Sequence, residues 1–138
     1  MCSVSLEFNK NVARRYFEAY STGDIEVVMG FIDEGYVLYP GAGADAESRD
    51  GRKRDEAVFF SAFSGIEVVV EDQIAEGDKV ANRITMVCNH TGSYKGIPAT
   101  GKRVVIPYID IVRFKAGKIV EEWVEFDMMN ILTQIKPS

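Results

Sequence analysis

The residues that promise chemistry gather near the C-terminal end, in Ile119-Val120-Glu121-Glu122-Trp123-Val124-Glu125-Phe126-Asp127. Period-two alternation in a strand puts Glu121, Trp123, Glu125 and Asp127 on one face. If that face looks into a pocket, a carboxylate beside the indole loses hydration and becomes harder to ionise. It could then act as acid or base near neutral pH. If the face looks into solvent, Val120, Val124 and Phe126 point inward, and parity leaves both orientations open. Upstream, Tyr108-Ile109-Asp110-Ile111-Val112 sets Asp110 among apolar and aromatic neighbours, where a carboxylate must be paired, with Arg83 or Arg113, or be functional. His90, the single histidine, follows Ile84, Met86 and Cys88 by steps of two. It shares their apolar face, either as a pocket donor or bonded to nearby backbone.

Other chemistries find less footing. Cys88 and His90 lie about 7 Å apart on one strand, too far for a direct nucleophile pair. One histidine without HxH, HExxH or CxxC spacing predicts no metal, and Gly41-Ala42-Gly43 lacks a phosphate-cradling pattern, so no cofactor is expected. Tyr20, Tyr39, Phe60, Tyr108 and Trp123, with Glu125, are the residues expected to line a substrate pocket and offer it phenol donors.

These residues need a scaffold, and 138 residues suffice for one domain, residues 1–138, with one core. Acidic residues outnumber basic ones by 21 to 16, so the mean field repels nucleic acid and anionic membranes. The basic run Arg49–Arg54 is interrupted by Asp50 and reads as a solvated helix start. Two cysteines without a framework, no signal-like apolar core and no membrane-length span fit a reducing cytoplasm.

Helical spacing runs from Ser5 to Tyr20, from Ile25 to near Gly35, and from Lys53 to Phe63, where Ser64-Gly65 is expected to stop it. Tyr36–Tyr39 reads as a strand ahead of a mobile loop, Gly41–Asp45. From Ile66 to Phe126 β-branched runs are divided by Glu76-Gly77-Asp78-Lys79 and Lys115-Ala116-Gly117-Lys118, the marks of an antiparallel meander. A longer link, Gly92–Gly101, joins the middle strands, and Met128–Ile135 forms a closing helix. The fold class is α+β: a curved antiparallel sheet forming a cone, with three N-terminal helices packed on its concave side.

Several segments resemble one family. They are Glu71-Asp72-Gln73-Ile74-Ala75-Glu76-Gly77-Asp78-Lys79-Val80, His90-Thr91-Gly92, Gly96-Ile97-Pro98-Ala99-Thr100-Gly101-Lys102-Arg103-Val104, Ile109-Asp110-Ile111-Val112-Arg113-Phe114, Gly117-Lys118-Ile119-Val120-Glu121-Glu122-Trp123 and Phe126-Asp127. In this order they are similar to the SnoaL-like polyketide cyclases. The resemblance implies the cone fold shared with nuclear transport factor 2 and ketosteroid isomerase, usually a homodimer or larger homo-oligomer. It also implies cofactor-free ring closure by an intramolecular aldol step, with Asp127 matching the acid/base aspartate. Val112 and Tyr39 stand where cyclases often carry histidines.

The expected function is proton transfer next to a carbonyl of a small, largely apolar molecule, by a cyclase or isomerase. Asp127 is the acid/base, His90 and a tyrosine hold the enolate oxygen, and Asp110 is a further catalytic candidate. Two alternatives stand beside it. One is a non-catalytic binder of small hydrophobic ligands. The other is an epoxide-hydrolase-like enzyme, which needs carboxylates bridged by an arginine, with Arg83 and Asp110 as the candidates.

Overall fold

A computed structural model describes residues 3–41 and 43–137, with side chains from residue 5 onward; Cys2 lies outside the described residues. Helix α1 (Ser3–Glu18) continues into a 3-10 turn, Ala19–Thr22. Its buried stripe is Val12, Ala13, Tyr16, Phe17 and Tyr20, while Glu7, Asn11, Arg15 and Glu18 face solvent, the division a 3.6-residue repeat requires. Removing one such aromatic side chain from water stabilises the fold by roughly 1.5–3 kcal/mol.

Helix α2 is only Ile25–Met29, capped by Asp24, whose carboxylate accepts from the Glu26 amide at 2.9 Å. The sequence reading carried it to Gly35. Instead strand β1 (Ile32–Pro40) begins early, because Ile32 aligns in parallel with Ile119 of the last strand. After the two-residue strand β2 (Glu47–Ser48), helix α3 runs Arg49–Ala62. It starts four positions before Lys53 because the Ser48 hydroxyl caps it by accepting from the Gly51 amide. Nor does it stop at Ser64-Gly65. It passes directly into β3 (Phe63–Glu76), and Gly65, at φ +60°, sits inside that strand beside a register shift.

Strands β4 (Lys79–His90), β5 (Arg103–Lys115) and β6 (Lys118–Phe126) complete the meander, and α4 (Met128–Ile135) closes the chain. The β5–β6 turn has positive φ at both Ala116 and Gly117, the pattern of a two-residue hairpin turn that follows strand twist. The sheet order is β2-β1-β6-β5-β4-β3, curled but not closed, with β1 parallel to β6. Helix α1 lies on β3 and β4, and α3 spans β1 and β3, so the helices cover one face. Beyond the last β5–β6 pair, Tyr108 with Phe126, the β5 edge is finished by α4. The Gln134 side-chain amide bonds both the N–H and the C=O of Val105. No helix among the described residues is long and apolar enough to cross a membrane.

Candidate functional site

Glu122 is the centre of the interior. On β6, Val120, Glu122 and Val124 share the inward parity, and Glu122 has no exposed surface. Across the sheet it pairs with Val112 on β5 and Leu38 on β1, while Asp110 pairs with Val124 and with Asn82 on β4. Asp110 and Glu122 are therefore diagonal neighbours on one face, close enough for long side chains to meet. Helices supply what lies above them. Tyr16 on α1 and Tyr20 on the 3-10 turn that continues it are about one turn apart, and Arg52 and Glu56 are one turn apart on α3.

The contacts form one network. The hydroxyls of Tyr36 and Tyr16 donate to Glu122 Oε1 at 2.6 and 2.8 Å. Arg52 Nη2 lies 3.8 Å from that same oxygen and donates to the Tyr16 hydroxyl at 3.1 Å. Arg52 also donates to the Tyr20 hydroxyl and, through Nη1, to Glu56 Oε1. Asp110 and Glu122 are both buried, and Asp110 Oδ1 and Glu122 Oε2 have no hydrogen-bond partner among the described residues, so two full charges here would repel with little solvent to screen them and the pair favours holding a proton. Below them Asn82 donates to the main-chain carbonyl of Asp110, and Gln73 donates to Asn82 and to the Lys10 carbonyl, tying the floor of the site to α1.

Electrostatics divide the labour inside the pair. Burial pushes the Asp110 carboxyl well above the usual range, and the charge and hydrogen bond of Glu122 push it further than Arg52 draws it back. Burial also pushes Glu122 upward, but the Asp110 hydrogen bond, the Arg52 charge and the two tyrosine hydroxyls outweigh it and leave the carboxyl below its ordinary range. The opposed directions are those of a carboxyl pair that titrates as a unit, with its proton favouring Asp110. Burial holds Tyr16, Tyr20 and Tyr108 protonated, as permanent hydrogen-bond donors.

The residues singled out from sequence separate into three places. Asp110, Tyr20, Phe60 and Tyr108 belong to this interior: Tyr20 packs 5.7 Å from the Phe60 ring, and Tyr108 sits 6.5 Å from Phe17. Glu121, Trp123 and Glu125 face outward with Tyr39. Tyr39 stacks on Trp123 at 5.4 Å and donates to Glu121, and Lys79 lies 5.3 Å from the indole on the same surface. The solvent-facing orientation of that strand face is the one adopted, since the other face carries Glu122 to Tyr16 of α1 and Arg52 of α3, although Phe126, expected inward with Val120 and Val124, stays exposed. Asp127 is exposed and caps α4, accepting from the Asn130 amide at 3.1 Å. With Arg83, Pro107, Tyr108, Ile109, Glu125 and Phe126 it borders a shallow open hollow of about 400 Å³.

His90 is fully buried at the far end of β4. It packs 5.4 Å from Phe63, and its Nδ1 meets the Thr100 hydroxyl at 2.9 Å. Six residues of strand, about 20 Å, separate it from Ile84, the partner of Tyr108, so it does not converge with Asp127 or Asp110. Neither arginine expected beside Asp110 reaches it. Arg83 binds Asp72, and Arg113 binds Glu121 and Asp78, all toward solvent. Cys88 is free and buried, its thiol pushed up to about 11 by burial, which keeps it un-ionised and inert.

Sequence reasoning passed over Glu122, Arg52, Glu56 and Tyr36, and took Tyr16 only as one of many aromatic residues able to line a cavity. Glu122 carried a usable signal, because the parity that turns Val120 and Val124 inward takes it with them. The Arg52–Glu56 spacing of four likewise marks one helical face, obscured by the neighbouring charges at Arg49, Asp50, Lys53, Arg54 and Asp55.

A curled sheet roofed by three helices around a buried carboxyl pair, an arginine and tyrosines defines a class of cone-shaped α+β proteins with polar interiors. The chain belongs to the SnoaL-like polyketide cyclase family, whose model matches residues 10–135. It is 30% identical over 122 residues to aklanonic acid methyl ester cyclase DauD from Streptomyces sp. (strain C5), covering 84% of this chain and 75% of that one. The same identity holds for the cyclase of that name from Streptomyces peucetius, DnrD, of which 83% is covered. Among solved structures, AclR from Streptomyces galilaeus, provisionally called a hydroxylase, superposes with a TM-score of 0.87 at 25% identity. The match covers 94% of this chain and 82% of AclR. A protein from Jannaschia sp. CCS1, provisionally assigned as a SnoaL-like polyketide cyclase, gives 0.86 at 24% identity, with 100% and 99% covered.

Proposed function

We propose that the chain is a cofactor-independent cyclase that moves a proton next to a carbonyl of a small, largely apolar substrate. The observation that carries this reading is the Asp110–Glu122 pair, two buried carboxyls on one sheet face under a tyrosine roof, where burial and mutual repulsion favour a single shared proton. Asp110, at 2% exposure against none for Glu122, is the member that meets the substrate.

The step balances within the pair. Asp110 takes the proton from the carbon beside a carbonyl while its own proton slides to Glu122. The enolate carbon then attacks a second carbonyl of the same molecule, forming a C–C bond as that C=O π bond opens. The resulting alkoxide takes the proton from Asp110, and Glu122 returns the stored one. Glu122 positions and recharges Asp110, and the Tyr108 hydroxyl, two residues along the same strand face, donates to the enolate oxygen. The curated relatives are cyclases of aklanonic acid methyl ester by name, which supports ring closure as the reaction of this chain.

One observation favours a second reading: Arg52 bridges Glu56 and Glu122, the carboxylate–arginine–carboxylate arrangement that activating water on an epoxide requires. The discriminating experiment incubates the protein with neutral aryl diketones able to close a six-membered ring and, separately, with aryl epoxides, followed by NMR. Ring closure that falls at least ~100-fold in Asp110→Asn supports the cyclase. Diol from the epoxides alone replaces it with the hydrolase, and turnover of neither class leaves a ligand-binding protein.

A further inference from the structure

His90, at the end of β4, is fully buried, and both hydrogen bonds of its ring come from one residue of the link that follows. Nδ1 receives the Thr100 amide at 3.3 Å and the Thr100 hydroxyl at 2.9 Å, and that hydroxyl in turn accepts from the Lys102 amide at 3.3 Å. With two donors aimed at its Nδ1 lone pair the ring is neutral, and its hydrogen sits on Nε2. Nε2 is buried without a partner among the described residues, a deficit that water removes once the ring is uncovered. The link, residues 91–102, is pinned at its base, where the His90 amide donates to the Lys102 carbonyl and the Gly101 amide to the His90 carbonyl, both at 2.8 Å. At its start the Thr91 and Gly92 amides donate to the Ala62 carbonyl at 2.9 Å, so close that a Cβ at Gly92 would lie 2.1 Å from the Ser61 carbonyl oxygen. Tyr94 then packs 5.0 Å from Phe63, and its hydroxyl meets the Met128 sulfur of α4 at 3.9 Å. From Phe63 a run of neighbouring rings, Phe59, Phe60 and Tyr20, leads to Arg52 and the interior.

A second proton can enter the ring only at Nδ1, where it displaces both Thr100 donors. The charge it brings finds no carboxylate partner. On its own strand face the neighbouring titratable group is Cys88, and the β3 residue opposite His90 is Phe63. The link contributes the Tyr94 hydroxyl, turned to Met128, and Lys95, which lies over the Tyr94 ring. Lys102 is bound to the Lys136 carbonyl after α4, and Arg103 on β5 to Glu67 on β3, both on the exposed side. On α3 the acids are Asp55, which is exposed, and Glu56, which Arg52 holds. None of these groups hydrogen-bonds the His90 ring among the described residues. We propose that the Thr100–His90 contact is an acid-sensitive latch: at neutral pH it holds residues 91–102 closed over the aromatic end of the interior, and proton uptake by His90 lets them open. The closed link excludes the proton and the open one admits it, so opening is favoured as pH falls. The latch requires no particular reaction in the interior.

His90 is the single histidine, so nitrogen NMR of the imidazole reads it without overlap, and near neutral pH it should show the Nε2–H tautomer. Amide hydrogen exchange, corrected for the intrinsic effect of pH, then follows the link. An exposed histidine titrates near ~6.5, so opening that admits the proton should become about tenfold more frequent between about pH 7.5 and about pH 5.5. Protection of the Tyr94, Ile97 and Gly101 amides should fall by that factor while that of the β3–β4 ladder holds. His90→Asn places an amide oxygen near the position of Nδ1 and does not titrate, so its link should lose less than about twofold over the same range. Thr100→Val leaves the ring in place but removes the hydroxyl, and should lower the protection about fivefold already at the higher pH, as the loss of one hydrogen bond requires. Protection independent of pH in the wild type, the Nδ1–H tautomer, an equal acid loss in His90→Asn, or no effect of Thr100→Val would each overturn the proposal. Should His90→Asn fail to fold, the tautomer and Thr100→Val decide it. None of these readouts involves turnover, so failure of the cyclase reading leaves the latch standing and failure of the latch leaves that reading untouched.

Discussion

Replacing Arg52 by methionine tests the energetic logic of the interior. Arg52 is buried and compensates two carboxylates at once, Glu56 through Nη1 and Glu122 through Nη2, while also donating to Tyr16 and Tyr20. Methionine fills the volume but leaves the carboxylates uncompensated, and removing one partner of such a buried pair costs about 3–5 kcal/mol. For a domain of this length each kcal/mol lowers the melting temperature by roughly 3–4 °C, so the loss should be about 9–20 °C. That is survivable against a total stability of about 5–15 kcal/mol.

The loss also depends on pH, with a definite sign. Burial already holds Glu56 above its ordinary range, and loss of the guanidinium, which lowers both carboxyls, moves Glu56 and Glu122 further upward. Carboxyls raised by folding leave stability untouched below the unfolded value and withdraw it as pH rises toward the folded one. The gap between variant and wild type should therefore widen from about pH 5 to about pH 8. Thermal melts of both proteins at the two pH values decide it. A variant melting within about 2 °C of the wild type at both would refute the claim that Arg52 compensates buried charge.

Three further outcomes follow from the same contacts. Asp110→Asn should melt at or above the wild type at alkaline pH, because burial raises the Asp110 carboxyl and the stability it contributes in its protonated form is lost as pH climbs; a steeper alkaline loss in the variant would contradict this. Asp127→Ala should lose about 1 kcal/mol of stability by calorimetry and Asp127→Asn much less, as expected of a helix cap, and turnover that dies in Asp127→Asn but survives in Asp110→Asn would move the chemistry to the start of α4. We also expect a homodimer through the outward sheet face, where Val69, Val105 and Ile109 are exposed, so that sedimentation shows a dimer dispersed by Ile109→Lys, and a monomeric wild type at micromolar concentration would count against it.

The parts of the fold legible in sequence were those set by local physics. The α1 stripe, the two-residue turns at Gly77-Asp78 and Ala116-Gly117, and the closing helix Met128–Ile135 follow from spacing, positive-φ residues and a capping aspartate. The extent of β1 was not legible, because Ile32 is drawn into the sheet by Ile119, far away in sequence. The same gap hid the site. Asp110 stands out alone as a carboxylate among apolar neighbours, but its partner Glu122 sits in a glutamate pair where parity allows either residue to be the buried one. The central position of β6 and the helices packed over it decide the matter. Arg52 and Glu56 looked like surface charge because five charged neighbours surround them, and only the packing of α3 across β1 and β3 turns that one face inward. Trp123 drew the reading toward the wrong face, since its burial comes from Tyr39 and Lys79 on the outside of the sheet.

The account depends on one proton shared by Asp110 and Glu122, and infrared difference spectroscopy counts it directly. Near neutral pH the wild type should show the carbonyl band of a protonated carboxyl, and that band should be missing from Asp110→Asn while the fold persists. A wild-type spectrum without a protonated carboxyl, or a band unchanged in Asp110→Asn, would contradict the account.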